Sequence, residues 1–445
     1  MNVNAIMKTF ALIGLGLVAG FGITILALPQ AKGANETGIY AQLDLFNDAF
    51  ERVRANYVRP VKDAELVDAA IQGMVSGLDP HSSYMDAKQY ADMQVTTRGE
   101  FGGIGIEITQ EDGLIRVISP IDGTPASRAG IKTDDRIAAI NGNSMVGLPL
   151  NDAIDKMKGP PGTKVTVTIL REGEKKPFDV TLTRAIIHVD APSFRREGDI
   201  GYIRLPGFNE QTADGLERAV LALKKQIGPG IKGYVLDLRN DPGGLLDQAV
   251  QVSDDFLNSG EIVSTRGRHA EDTQRYDAKS GDIAGSKPIV VLINGGTASA
   301  SEIVAGALQD HKRAIILGMT SFGKGSVQTI IPLGEGRGAL RLTTARYYTP
   351  SGHSIQAQGI IPDIQVAQGD EAGLPKVVRP SEADLPGHLT GEKAAPKNKN
   401  APVIKPEAGK KYDDFQLSYA LDLLHGKVTL AQANAPAPQK AAGVH

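Results

Sequence analysis

Apolar positions recur at helical spacing near the start of the chain, shift to short strand-like runs in the middle, and then settle into a regular exchange between the two. Leu43, Phe46, Phe50, Val53 and Tyr57 follow one another at intervals of three and four, which predicts an amphipathic helix with a seam narrow enough for helix–helix contact. A second helix is predicted over 64–77, with Leu66, Ala70, Ile71, Met74 and Val75 inward, stopped by Gly77-Leu-Asp-Pro-His-Ser-Ser-Tyr84. In that block Pro80 fixes a turn, so the Asp79-Pro80-His81 cluster reads as structural. From Gly99 to about Arg184 the runs Ile104–Ile108, Leu114–Ile118, Arg136–Ile140 and Val165–Leu170 predict a β-rich unit. Beyond Ala185 strands over Ile200–Leu205, Gly233–Leu238 and Ile289–Ile293 exchange with helices over Thr212–Gln226, Leu245–Leu257 and from Ser299 onward. That order predicts an α/β core with its turns gathered at one end of a sheet.

Two of those turns carry candidate chemistry. After Ile293 the strand breaks at Asn294-Gly-Gly296, and Ser299-Ala-Ser-Glu302 opens a helix. A strand, a glycine turn and a helix N-terminus can hold a hydroxyl beside backbone N–H groups, as a nucleophile and its oxyanion site require. Ser299 and Ser301 are both candidates, although Ser-x-x-Glu is also the spacing of a simple capping box. Lys324 lies between Gly323 and Gly325, after Phe322 and before Val327. An amine held among apolar groups loses hydration of its charged form, so its pKa falls and it can accept a proton from serine. Gln328, four residues on, shares a face with Lys324 in a strand and could orient the amine without charging it.

Together, Gly295-Gly-Thr-Ala-Ser-Ala-Ser-Glu302 and Ser321-Phe-Gly-Lys-Gly-Ser-Val-Gln328 resemble the two active-site blocks of the carboxyl-terminal processing, or tail-specific, serine proteases. The resemblance runs from about Asp44 to Val366. It implies a Ser/Lys dyad assisted by Gln, with Ser299 rather than Ser301 as nucleophile, Lys324 as base and Gln328 as its positioning group. It also implies an oxyanion hole from the N–H of Ala300 and that of Gly243 or Gly244. Phe101-Gly-Gly-Ile-Gly-Ile106, with the downstream Asn141-Gly142 and the helix-like Leu150–Met157, resembles a PDZ domain. A loop of inward N–H groups can cradle a terminal carboxylate while the next strand edge pairs with the peptide. Phe101, Gly102, Gly103, Ile104, Gly105 and Ile106 are therefore the candidate peptide-binding residues.

Composition narrows the alternatives. A length of 445 residues is too much for one compact domain, and the 41% hydrophobic and 22% charged residues suit globular cores. A net charge of −3 offers no basic field for nucleic acid. The absence of Cys excludes disulfides and thiol catalysis, and the eight His lack ligand spacing, so neither metal nor cofactor is expected. Lys8 precedes a charge-free run from Thr9 to Leu28, which reads as an export signal or membrane anchor and places the remainder in the periplasm or cell envelope.

The predicted organisation is a signal peptide or anchor at 1–34, helices at 35–97, a PDZ domain at 98–185 and an α/β protease core of crotonase or ClpP type at 186–368. A disordered linker at 369–410, a helix at 411–426 and a low-complexity tail at 427–445 follow. Arg266–Ser286 reads as a surface loop. The expected partners are protein substrates gripped by their C-terminal tails and, through the terminal helices, further copies of the chain. Two other readings compete: a catalytically dead adaptor that binds envelope proteins through the PDZ domain, and a non-peptidase serine hydrolase. A supporter of a Ser/His/Asp site would choose His311 beside Asp310.

Overall fold

The computed structural model describes residues 36–111, 113–121, 123–147, 150–188, 192–368, 380–392, 402–407 and 409–428. The apolar run Thr9–Leu28, and most of the low-complexity tail, lie outside these residues. The chain divides into two compact units, Met1–Ile71 and Gln72–His445.

Helix α1 (Glu36–Asn56) carries the predicted stripe, and Leu43, Phe46 and Val53 on it are exposed. Helix α2 (Asp63–Ser76) ends at the Gly77–Tyr84 block, which leads into strand β1 (Ser83–Met85). Helix α3 (Ala87–Arg98) is closed at both ends: Asp86 accepts from the Gln89 N–H, and Gly99 takes the left-handed conformation at φ 67°.

Strand β2 (Glu100–Gly103) pairs with a later strand, β9 (Ala185–His188). Between them lies the small β unit: β3 (Ile106–Glu111), β4 (Leu114–Pro120), the short helix α4 (Pro125–Arg128), β5 (Arg136–Ile140), β6 (Asn143–Ser144), α5 (Leu150–Met157), β7 (Lys164–Leu170) and β8 (Phe178–Thr183). Its sheet runs β3-β4-β5-β7-β8, with β6 on β5. Ile115, Val117, Ile137, Ile140, Val165, Val167 and Ile169 fill a core of its own, from alternating inward positions on β4 and β7 and from both sides of a register shift in β5.

The larger core is built on β10 (Ser193–Glu197), β11 (Ile200–Arg204), α6 (Thr212–Ile227), β12 (Gly233–Asp237), α7 (Leu246–Asp254), β13 (Gly260–Arg266), β14 (Gln274–Ala278), β15 (Ile289–Ile293), α8 (Ala300–Asp310), β16 (Ile315–Gly318), β17 (Ser326–Pro332), β18 (Ala339–Tyr348) and β19 (Ile364–Gln365). One sheet runs β10-β11-β12-β15-β16-β19 and is parallel from β11 onward. Its central strands β12 and β15 are buried at every position, as expected where both faces are covered. Helices α6, α7 and α8 bury one face through Leu216, Val220, Val252, Ile303 and Val304. The final helix α9 (Phe415–Leu424) covers the other through Phe415, Leu417 and Ala420. A second sheet runs β1-β18-β13-β14, with β17 paired to β18.

The stretch 369–410, expected as a disordered linker, departs from that reading where it is described. Glu382 is fully buried, and Ile404 bridges to Val366. A few anchoring side chains suffice to order a segment whose average composition is polar. Arg266–Ser286, expected as a loop, contains β14, an outer strand held to β13 by backbone pairing with mostly exposed side chains.

Candidate active site

The two candidate turns meet at the C-terminal ends of the adjacent parallel strands β12 and β15. Thr297 Oγ1 donates to the Leu238 carbonyl at 2.7 Å, and the Ala298 N–H donates to the Asp241 carbonyl at 2.9 Å. Ser301 Oγ donates to that same Asp241 oxygen at 3.1 Å and is fully buried. Ser301 is thus committed to joining the turns. Ser299 sits at the N-terminus of α8 with φ 58° and ψ −115°, a conformation costly for a side chain with a Cβ and typical of a sharp strand-to-helix turn that presents a nucleophile. Gly243 backs directly onto it: a Cβ there would lie 2.6 Å from the Ala298 oxygen and 2.8 Å from the Ala300 nitrogen. Any larger residue would push the turns apart.

Glu302 ties this turn to the lysine loop. Fully buried, it accepts from the Ser299 N–H at 2.8 Å, Ser321 Oγ at 2.5 Å, the Gly323 N–H at 2.8 Å and the Lys324 N–H at 2.9 Å. The Phe322 N–H adds a bond to the Thr297 carbonyl at 2.9 Å. One carboxylate therefore fixes the backbone on both sides of the site. Burial pushes Glu302 up, to about 7, against the four donors that favour its charged form.

Burial also pushes the Lys324 amine below its ordinary range, and Arg341 adds to the effect, while the carboxylates of Glu382, Glu302 and Asp79 oppose it. Among the described residues no hydrogen bond joins Ser299 Oγ to Lys324 Nζ. Gln328 does not reach the amine either: its Nε2 donates to Ser326 Oγ at 3.0 Å and Thr343 Oγ1 at 3.2 Å. A bulge between Val327 and Gln328 breaks the alternation along β17. Ser299, Lys324 and Gln328 therefore lie on segments tied together by Glu302 and Thr343, with no hydrogen bond from one to another among the described residues.

Of the three candidate oxyanion donors, the Gly243 N–H is occupied by Asp241 Oδ1 at 2.8 Å. The Ala300 and Gly244 amides have no acceptor among the described residues. His311 and Asp310 face different partners: His311 Nε2 lies 2.7 Å from the Glu261 carbonyl, and Asp310 accepts from Ser351 Oγ at 2.6 Å. Ser351 Oγ also lies 2.7 Å from His353 Nδ1, so here the serine stands between the aspartate and a histidine, and His311 takes no part.

In the small β unit, Phe101, Gly103, Ile104, Gly105 and Ile106 line a cavity of about 240 Å³ with Ile108, Ile154, Met157 and Lys158. Among the described residues strand β3 pairs only with β4, which leaves its other edge open along this cavity, opposite α5. The Ile104 and Gly105 amides have no acceptor among the described residues. Gly102 stands behind the cavity, where a Cβ would lie 2.1 Å from the Gly159 oxygen.

Family models match the chain in three places: an activating-protease N-terminal domain over 24–89, a PDZ domain over 102–182 and peptidase family S41 over 199–366. A carboxy-terminal-processing protease of Bartonella bacilliformis is 55% identical over 91% of this chain and 93% of its own. The chain belongs to the carboxy-terminal-processing proteases of family S41. A carboxy-terminal processing protease of Bacillus subtilis is 38% identical over 75% of this chain and 71% of its own, and one from Synechocystis is 40% identical over 71% and 75%. A solved photosystem II D1 C-terminal processing protease is 31% identical over 72% of this chain and 92% of its own, with a TM-score of 0.42. The architecture is accordingly an N-terminal region, a PDZ domain and an S41 serine protease domain.

Within this protease the sequence pattern missed several residues near Lys324. The Asp79-Pro80-His81 block reads from sequence as structural, yet Asp79 Oδ1 accepts from Thr343 Oγ1 at 3.1 Å, the hydroxyl that also receives Gln328. His81 Nε2 lies 2.8 Å from Glu382 Oε2, a partner 301 residues away. The Asp-Pro-His cluster was the available signal, and its partners lay too far along the chain to be seen.

Proposed function

We propose that the protein grips the C-terminal tail of a protein substrate in its PDZ groove and cleaves it at a Ser299/Lys324 site. The observation that carries this reading is the fully buried Glu302, which holds the nucleophile turn and the lysine loop on one carboxylate. Ser299 Oγ attacks the scissile carbonyl, and neutral Lys324 takes the hydroxyl proton and returns it to the leaving amine. The oxyanion forms against the Ala300 N–H at the positive end of α8 and, of the two glycines, against Gly244, whose amide is unoccupied. Gln328 positions the Lys324 amine in the substrate complex. The apolar run Thr9–Leu28 supports an envelope location, exported or anchored.

The pH dependence tests the assignment. Lys324 must be neutral and Glu302 charged, so both groups give activity that rises with pH, through about 7 for Glu302 and through the lowered pKa of the lysine. The kcat/KM for casein cleavage should climb from pH 6 to 9. A profile that falls over that range contradicts the lysine base.

The tail-binding half has its own test. Ile106→Glu would place a carboxylate where an apolar terminal side chain and its own carboxylate dock, and should weaken a fluorescent peptide with a free apolar C-terminus about 10-fold or more. Anisotropy titration measures it, and unchanged affinity would remove the groove from the account.

A further inference from the structure

Beyond the region matched by the S41 model, the chain returns to the lysine loop. Residues 380–392 lie across it from outside. Glu382, at the start of this segment, is fully buried although nothing in the proposed reaction uses it. Its N–H donates to the Phe322 carbonyl at 3.0 Å, two residues before Lys324. Its Oε1 accepts from Gln356 Nε2 at 2.9 Å, and Gln356 Oε1 in turn accepts from the Gly325 N–H at 3.0 Å, one residue after Lys324. Its Oε2 lies 2.8 Å from His81 Nε2.

Glu382 therefore brackets the lysine on both sides and ties the loop to the Asp79–Ser82 turn. The remainder of the strap is locked down as well. Gln356 Nε2 also donates to the Leu389 carbonyl at 3.0 Å, and Glu392 accepts from Tyr348 Oη at 2.6 Å and from Gln358 Nε2. Gly391 passes so close that a Cβ would lie 2.4 Å from the Gln356 oxygen. A linker has no reason to be fitted this closely against an active-site loop.

We propose that Glu382 is a positioning residue for Lys324, and that the segment 380–392 is a strap that completes the protease site from outside the S41 core. The backbone and Gln356 bonds hold the loop, and the carboxylate supplies a fixed negative charge near the amine. The charged groups acting on Lys324 come from every side: Arg341 on β18, Glu302 on α8, Asp79 in the turn before β1, and Glu382 with its partner His81. Against the upward push of burial, the bonds from His81 and Gln356 keep Glu382 below the ordinary carboxyl range, so it is charged at neutral pH.

This rests on Lys324 as the base, and the test separates the two claims. The full chain is assayed on casein across pH as wild type, Glu382→Gln, Glu382→Ala and Lys324→Ala. Glu382→Gln keeps the acceptor for Gln356 and removes the charge, and His81 takes the Nδ1–H tautomer so that its Nε2 accepts from the new NH2. This variant should keep most of kcat but move the acid limb of the profile to lower pH, because a group that favours the ammonium form is gone. Glu382→Ala loses the strap's anchor and should lose on the order of 10²-fold in kcat with KM little changed, the cost of a misplaced base. A merely structural glutamate would lower stability without moving the acid limb. Wild-type kcat and an unmoved acid limb in Glu382→Gln overturn the proposal, and they do so even where Glu382→Ala fails to fold. Wild-type cleavage by Lys324→Ala would instead overturn the assignment of the base.

Discussion

Ser299→Ala leaves a folded, tail-binding protein whose casein cleavage falls by roughly 10⁴–10⁶-fold, the range expected when a serine nucleophile is removed and only binding and oxyanion stabilisation remain. The substitution deletes one oxygen from a residue that is 7% exposed, and Ala occupies the same left-handed backbone with the same Cβ, so the turn keeps its shape. Ser301→Ala is the matched control. It removes the bond to the Asp241 carbonyl, which joins the two turns, so it should lower stability by roughly 1 kcal/mol while sparing most of the activity. Product quantification by mass spectrometry reads both. Equal cleavage by wild type and Ser299→Ala would favour another nucleophile, and cleavage by neither would favour the adaptor reading.

Glu302→Ala should be among the most damaging changes outside Ser299 and Lys324. It strips the acceptor from the Ser299, Gly323 and Lys324 amides and from the Ser321 hydroxyl, three of these bonds buried and that of Lys324 partly so. Unsatisfied buried donors and the cavity left behind should together lower stability by roughly 3–5 kcal/mol. Activity should fall steeply with it, because only the Phe322 N–H to Thr297 carbonyl bond then links the nucleophile turn directly to the lysine loop. Glu302→Gln keeps the volume but turns an NH2 toward two of the donors, so it should fold and still lose on the order of 10²-fold in kcat. Urea titration and kcat on the same samples separate the two effects. Wild-type kcat in Glu302→Gln would show that the clamp is only a helix cap.

The chain's own pattern made much of this legible. Fully apolar runs such as Ile289–Ile293 announce strands buried on both faces, and the glycine turn that follows places Ser299 at a helix start, where the structure has it. Reading Ser299 and Glu302 as a capping box captured half of the arrangement, the bond from the Ser299 N–H to Glu302. The other half, three donors from Ser321 to Lys324, depends on a loop about twenty residues away that periodicity cannot see. Gln328 shows the limit of counting residues along a strand, since a bulge and a hydroxyl on β18 turn it toward Thr343. Strand β14 and the strap at 380–392 escaped notice for related reasons. An outer strand pairs through its backbone while its side chains stay polar, and one buried glutamate is invisible in a window rich in Glu, Pro and Gly.

Everything in the mechanism depends on Ser299 being made nucleophilic by Lys324. The most direct measurement is covalent labelling with a fluorophosphonate, followed by peptide mapping, in wild type and in Lys324→Ala. The account predicts one adduct, on Ser299, formed faster as pH rises and lost in Lys324→Ala. An adduct on Ser301, or labelling of Ser299 at an equal rate without Lys324, would contradict it.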